Sequence, residues 1–356
     1  MNTQETIRWL FENGGPTIRY RTATELMESN TCIDIKMMER AIAESQEVIT
    51  WLNYLRPMKG VSYMTLHGSY NHFYENAMSK LVQLGMRAGM PELDEATLPY
   101  RTWLTENINT REAWGVFSFA IVASFLGMAG YTDDVIRTFL TNRLDVLHEF
   151  TSKHDYNIYD DASKYRGVPK TFRDTPIIKP ELYENGNYRF PLIYDVYGLS
   201  SLIDWCDKEM VATIKDVIGY ILTPNYHNIV VHKYGVLSSS DRKYYSMGWD
   251  ARLPGYFGIG EGTFAGGALL IQRIELIAHF PNAAEHPWFI DAIKHLETFR
   301  TGSGTYAFPI SYLAEKEGYW VSAAHMGLGE SRRTKMAKEL ESTFWMMKIK
   351  KLAGLL

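Results

Sequence analysis

Half-polar helical segments alternate with segments that are apolar on nearly every face along most of this chain. Ile35 to Tyr54 mixes charged and apolar positions at the spacing of a surface helix, and Tyr70 to Ala88 follows with fewer charges. The order then repeats. Asp94 to Glu106 is amphipathic and Trp114 to Ala129 uncharged; Asp133 to Phe150 is amphipathic and Phe190 to Cys206 largely apolar; Lys208 to Leu222 precedes Thr263 to Phe280 in the same way. Pro287 to Arg300 is again amphipathic, and an apolar stretch from Trp320 to His325 leads to a last helix, Ser331 to Lys351. In a double ring of helices the outer members see water on one side while the inner members are enclosed. The alternation therefore predicts an all-α chain, an α/α toroid of about five or six helical hairpins.

Two segments interrupt the pattern, 151–189 and 223–262. Both are rich in Gly, Pro, Asn and Asp, the composition of turns. Loops of that length inside a compact domain are usually functional or carry short elements of their own, and here they are expected to cover one mouth of the ring. No low-complexity linker divides the chain, so the expectation is one domain over 1–356, with N-terminal helices in 1–34 and a C-terminal helix over 331–351.

Composition narrows the partners. With 37 basic and 41 acidic residues the net charge is -4, which repels a phosphate backbone and argues against nucleic acid. Two cysteines, Cys32 and Cys206, fit a reducing compartment, and the first residues lack a signal peptide's basic and apolar regions; both point to the cytoplasm. Ala113 to Thr132 holds twenty uncharged residues, about the length of a membrane span, but its glycines and serines and its charged flanks favour a helix buried in protein. Tyrosine is over-represented: 13 of the 23 lie between residues 151 and 260, which marks the two long loops as the expected place of ligand contact.

The opening Trp9-Leu10-Phe11-Glu12-Asn13-Gly14-Gly15-Pro16-Thr17-Ile18-Arg19-Tyr20-Arg21-Thr22-Ala23-Thr24-Glu25-Leu26 resembles the start of bacterial proteins grouped with squalene cyclases and prenyltransferases, the terpenoid cyclase superfamily. His67-Gly68-Ser69-Tyr70 and the segment from Gly304-Thr305-Tyr306 to Trp320 resemble that superfamily's joints between loop and inner helix. The resemblance implies an α/α toroid independently of the helix alternation. It does not carry an activity. The DxDD acid of the class II cyclases and the repeated glutamine–tryptophan motifs are missing, and Asp204-Trp205-Cys206 has the spacing of the prenyltransferase zinc pair at the wrong end of a helix.

Candidate chemistry lies where loops enter the inner helices, because helix N-termini there offer unpaired N–H groups. These entries are Leu66–His72, Thr110–Trp114, Glu184–Arg189, Gly258–Thr263 and Glu317–Trp320. His67 just ahead of a helix is a candidate base, or a histidine bonded within its turn. If their segment is helical, His67 and His72 point about 140° apart, which argues against a shared metal. Asp250, framed by Tyr245 and Trp249, is a candidate acid with Arg252 as anion clamp, or one half of a loop salt bridge. Tyr70, Trp114, Tyr188, Tyr245, Trp249, Arg252 and Glu261 are the expected binding residues. Asp160-Asp161 form paired carboxylates or a solvated turn. No cofactor and no metal are expected.

Three functions follow. The first is an aromatic-lined cavity for an apolar or partly apolar small molecule, with isomerase, cyclase or lyase chemistry by Asp250 and His67 and aromatic faces stabilising a developing cation. The second is a carbohydrate-active barrel, a hydrolase or lyase on short oligosaccharides. The third is a non-catalytic binding or scaffold protein. The Phe344–Met347 run of the last helix suits packing on its own ring or on the second copy of a homodimer.

Overall fold

The computed structural model describes residues 1–28, 33–57, 60–110, 115–184, 188–229, 235–239, 242–248, 250–258, 267–281 and 283–356. Among these the chain is all-α in class. Its helices are α1 (Thr3–Asn13), α2 (Pro16–Arg21), α3 (Ile35–Ala43), α4 (Gln46–Leu55), α5 (Tyr63–Leu66), α6 (Tyr74–Gln83), α7 (Pro91–Asn107), α8 (Gly115–Met128), α9 (Asp134–Thr151), α10 (Ile193–Leu202), α11 (Lys208–Ile221), α12 (Pro224–Ile229), α13 (Gly267–Ala278), α14 (Pro287–Glu297) and α15 (Lys335–Leu352). A π-helix, Thr22–Leu26, continues α2. One antiparallel ribbon pairs β1 (Val236–Ser238) with β2 (Tyr244–Ser246).

Burial follows the alternation. All ten residues of α6 and nine of the ten in α10 are buried, against five of fourteen in α11 and four of eleven in α14. The uncharged stretch became α8, buried along most of its length, and no helix among the described residues is long and apolar enough to cross a membrane. Capping sets several starts. The Asn2 and Glu5 side chains close a capping box on α1, Asp207 caps α11, and Thr334 caps α15.

Where the pattern over-reaches, a local competitor explains it. The segment Ile35 to Tyr54 is two helices, because the Ser45 hydroxyl accepts from the Val48 amide and starts α4 anew. The segment beginning at Tyr70 is helical only from Tyr74, since residues 67–73 are drawn into a turn by Glu75 and Asn76.

Contacts divide the chain into two compact units. The first comprises Met1–Trp103, Met128–Tyr131 and Pro254–Leu356; the second comprises Leu104–Gly127 and Thr132–Leu253. In the second unit, the bidentate pair of Arg143 with Asp195 (2.9 Å for both bonds) joins α9 to α10, both side chains being buried. The remaining Arg143 nitrogen donates to the Tyr188 carbonyl.

The described parts of the two long loops belong largely to the second unit and contain little regular structure beyond single 3₁₀ turns, α12 and the ribbon. Tyrosine hydroxyls tie them down. Tyr159 donates to the Ile229 carbonyl (2.7 Å), Tyr220 to that of Asp155 (2.8 Å) and Tyr244 to that of Arg166 (2.9 Å). Tyr183 donates to the Ser238 carbonyl and accepts from its amide, and Tyr226 accepts from the Ala251 amide. The rings pack together: Tyr156 stacks on Tyr220 at 4.5 Å and Phe190 on Tyr226 at 5.5 Å. The tyrosine surplus in these loops thus satisfies main-chain groups that have no ladder to join.

Candidate functional site

In the first unit, α6 is enclosed on every side and yet carries Glu75, Asn76, Ser79, Lys80 and Gln83, all buried. Each of these polar groups needs a partner. Asn76, Lys80 and Gln83 share one face at i, i+4 and i+7, and their bonds run to the segment 320–327. Asn76 Oδ1 accepts from the Trp320 amide at 2.7 Å. Lys80 Nζ donates to the Gly327 carbonyl at 2.7 Å and to Glu315 Oε2 at 2.6 Å. Gln83 Nε2 approaches Met326 Sδ.

Glu315 also accepts from the Gly327 amide and from His325 Nδ1, at 2.9 Å each. Burial pushes its carboxyl up, but the Lys80 charge and the His325 and Lys80 bonds outweigh burial and bring it down to about 2. His325 is buried against the edge of Trp51, its Nε2 without a hydrogen-bond partner.

At the other end of α6 a buried carboxylate meets a partly exposed imidazole. Glu75, fully buried, lies 2.6 Å from His67 Nδ1 and accepts from the Gly68 amide at 2.8 Å. A carboxylate at Nδ1 fixes the imidazole's tautomer and direction. The His67 side chain keeps 23% of its exposure, so the ring is oriented from below and reachable from outside. Gly68 is needed for the close turn, because a Cβ there would lie 2.5 Å from the Phe73 ring.

One aromatic ring packs on the imidazole, and others stack in the turn that follows it. Tyr319 lies 5.2 Å from the imidazole, centroid to centroid. Tyr70 stacks on His72 at 5.6 Å with planes 11° apart, and His72 on Phe73 at 4.9 Å. Tyr70 and Tyr319 are 55% and 41% exposed. The Asn71 amide donates to Glu317 Oε1 at 3.2 Å, joining the turns that carry these rings.

His67 and Tyr70 therefore stand in one turn, whose main chain Glu75 and Asn76 hold. Their partners Glu75, Asn76 and Tyr319 were not among the expected site residues, although the Glu317–Trp320 entry was. An acidic residue in a helix's first turn looks like an ordinary dipole partner, and its burial is invisible until the turn folds over it.

Asp250 and Arg252 lie in the second unit, so the expected acid–base pair of Asp250 with His67 draws on both units, and within its own unit His67 pairs with Glu75. Asp250 Oδ1 accepts from the Arg252 amide at 3.1 Å and from its Nε at 2.6 Å, and the Asp250 main chain bridges to Leu192. That arrangement closes a loop. Burial, and then the Asp250 charge, raise the hydroxyl pKa values of Tyr159 and Tyr226. Tyr188 is buried, with its carbonyl held by Arg143. Tyr245 stands on β2 opposite Leu237, half-buried. Trp114, Trp249 and Glu261 lie outside the described residues.

Asp160, half-buried, and Asp161, exposed, form a turn. Asp160 accepts from Lys164 and Tyr165, which hold its carboxyl down to about 2, and Asp161 caps the Ser163 amide. Among the described residues no group of three or more His, Cys, Asp or Glu is placed to hold a metal ion. Compared with family models, curated proteins and solved structures, the chain matches none.

Proposed function

We propose that the chain is a squalene-cyclase-like α/α toroid that binds a small, partly apolar molecule against Tyr70 and Tyr319 and transforms it by acid–base chemistry at His67. The observation that carries this reading is the 2.6 Å approach of His67 Nδ1 to a fully buried carboxylate, Glu75, with the half-exposed Tyr319 ring packed against the imidazole. A histidine so held takes a proton on Nε2, the imidazolium is stabilised by Glu75, and the same nitrogen returns the proton to a leaving or rearranged group. The ring-closed toroid is supported by the N-terminal resemblance and by the alternation of enclosed and half-buried helices. Asp250, with Oδ1 already accepting twice from Arg252, suits fixing a loop better than donating a proton.

A carbohydrate ligand is favoured by one specific feature, the open, near-parallel Tyr70 and His72 rings, which suit a sugar face. The test is a turnover screen of the full chain against isoprenoid alcohols and short uronate oligosaccharides, read by mass spectrometry. Turnover of either class that falls about 10²-fold or more in His67→Gln supports the reading and names the class. Turnover indifferent to His67→Gln, or tight binding with no turnover, overturns it, the second in favour of a binding protein.

A further inference from the structure

We infer that Asn76 is the positioning residue of the His67 site, the group that holds its two turns in register. The inference rests on the reading of His67 as the working base. Asn76 is fully buried in the first turn of α6, and its carboxamide is spent entirely on main-chain atoms. Nδ2 donates to the Gly68 carbonyl at 2.7 Å and to the Tyr70 carbonyl at 2.8 Å, while Oδ1 accepts from the Trp320 amide at 2.7 Å.

One side chain therefore grips two turns, the second of them through a bond that spans 244 residues, from Asn76 to Trp320. The first turn carries His67 and Tyr70, and the second carries Glu317 and Tyr319. Aspartate at this position has no donors, glutamine is a methylene too long, and serine is too short to reach all three atoms. Helix capping does not explain the residue, since the carboxamide leaves the α6 amides alone and α6 has no side-chain cap.

The division of labour with Glu75 is clear from the bonds. Glu75 touches the imidazole and sets its tautomer. Asn76 touches only backbone and sets where the imidazole stands relative to the Tyr319 ring 5.2 Å away. Buried amides with every donor and acceptor used specify geometry more than they add stability, and sub-ångström placement is what a proton-transfer group requires.

The experiment compares Asn76→Ala with Ser79→Ala, a control that removes a hydroxyl bonded only within α6. Imidazole nitrogen NMR of the full chain reads the His67 tautomer, and hydrogen exchange reads peptides covering 67–73 and 316–322. In Asn76→Ala the single Nδ1-protonated form is expected to give way to a tautomer mixture, with exchange in both turns about tenfold faster. Ser79→Ala is expected to leave both readouts unchanged. Should Asn76→Ala fail to fold, Asn76→Asp keeps the volume and the acceptor for Trp320 while losing both donors, and is expected to release the 67–73 turn and leave the 316–322 turn protected. A folded Asn76 variant with the wild-type His67 tautomer and wild-type exchange overturns the inference. Because neither readout needs a substrate, a failed turnover screen removes the enzymatic reading without being mistaken for failure of this one.

Discussion

Two sets of turns lead into buried helices, and they use their aromatic residues in opposite ways. Around α6 the residues Tyr70, His72 and Tyr319 are exposed, while a carboxylate, an amine and an amide of the helix itself, Glu75, Lys80 and Asn76, are buried. In the loops of the second unit the rings of Tyr220, Tyr226 and Phe190 are buried, and neutral hydroxyls tie the main chain. A phenol bonded to a carbonyl holds a loop at any pH at which the phenol is neutral, which suits scaffolding. Buried charges cost desolvation and respond to pH, so they are worth keeping where an orientation or a proton must be controlled.

The largest effect is expected from removing a ring of the second kind. Tyr226 is fully buried against Phe190, and Tyr226→Ala should destabilise by about 3–5 kcal/mol in urea denaturation followed by circular dichroism. A cost under about 1 kcal/mol would mean that the loop rings are not core, and would break the comparison.

Lys80→Met tests the other side. It leaves Glu315 facing only His325 and the Gly327 amide, and the expected cost is about 3 kcal/mol at pH 7. The Glu315 carboxyl titrates at about 2 in the fold against about 4.3 in an unfolded chain, so its stabilisation is complete above the higher value and disappears as pH falls through the lower one. The stability gap between wild type and Lys80→Met should therefore close between about pH 5 and pH 2, whereas the cost of Tyr226→Ala should not change over that range. A gap independent of pH would show that Lys80 acts by packing alone.

The smallest effect is expected at the surface. Tyr70→Ala should shift stability by no more than about 0.5 kcal/mol in the same denaturation assay, because more than half of the residue already faces solvent. A loss comparable to that of Tyr226→Ala would make Tyr70 another structural ring and remove it from the ligand-binding surface.

Much of the helical framework was legible because its signals are local. Charge placement put α7, α8, α9 and α11 close to their observed limits. The break between α3 and α4 was not legible as a break, since Ser45 also fits a helix interior until its hydroxyl is seen on the Val48 amide. The site was half legible. His67 and Tyr70 stand in a glycine turn before an apolar helix, but the carboxylate that orients His67 becomes special only by being buried, and Tyr319 arrives from the far end of the chain. The tyrosine clustering was visible and its meaning was not: composition cannot distinguish a ring that faces a ligand from one whose hydroxyl holds a carbonyl.

The Lys80 amine has a use of its own. It is fully enclosed and doubly bonded, so an amine-reactive ester can modify it only in molecules whose α6 has come away from the 313–328 segment. The rate at which Lys80 takes up such a label, measured against the exposed lysines of the same chain, is a clock for the opening of that one region. The residue that anchors the interior of the first unit thereby also reports how often that interior is breached.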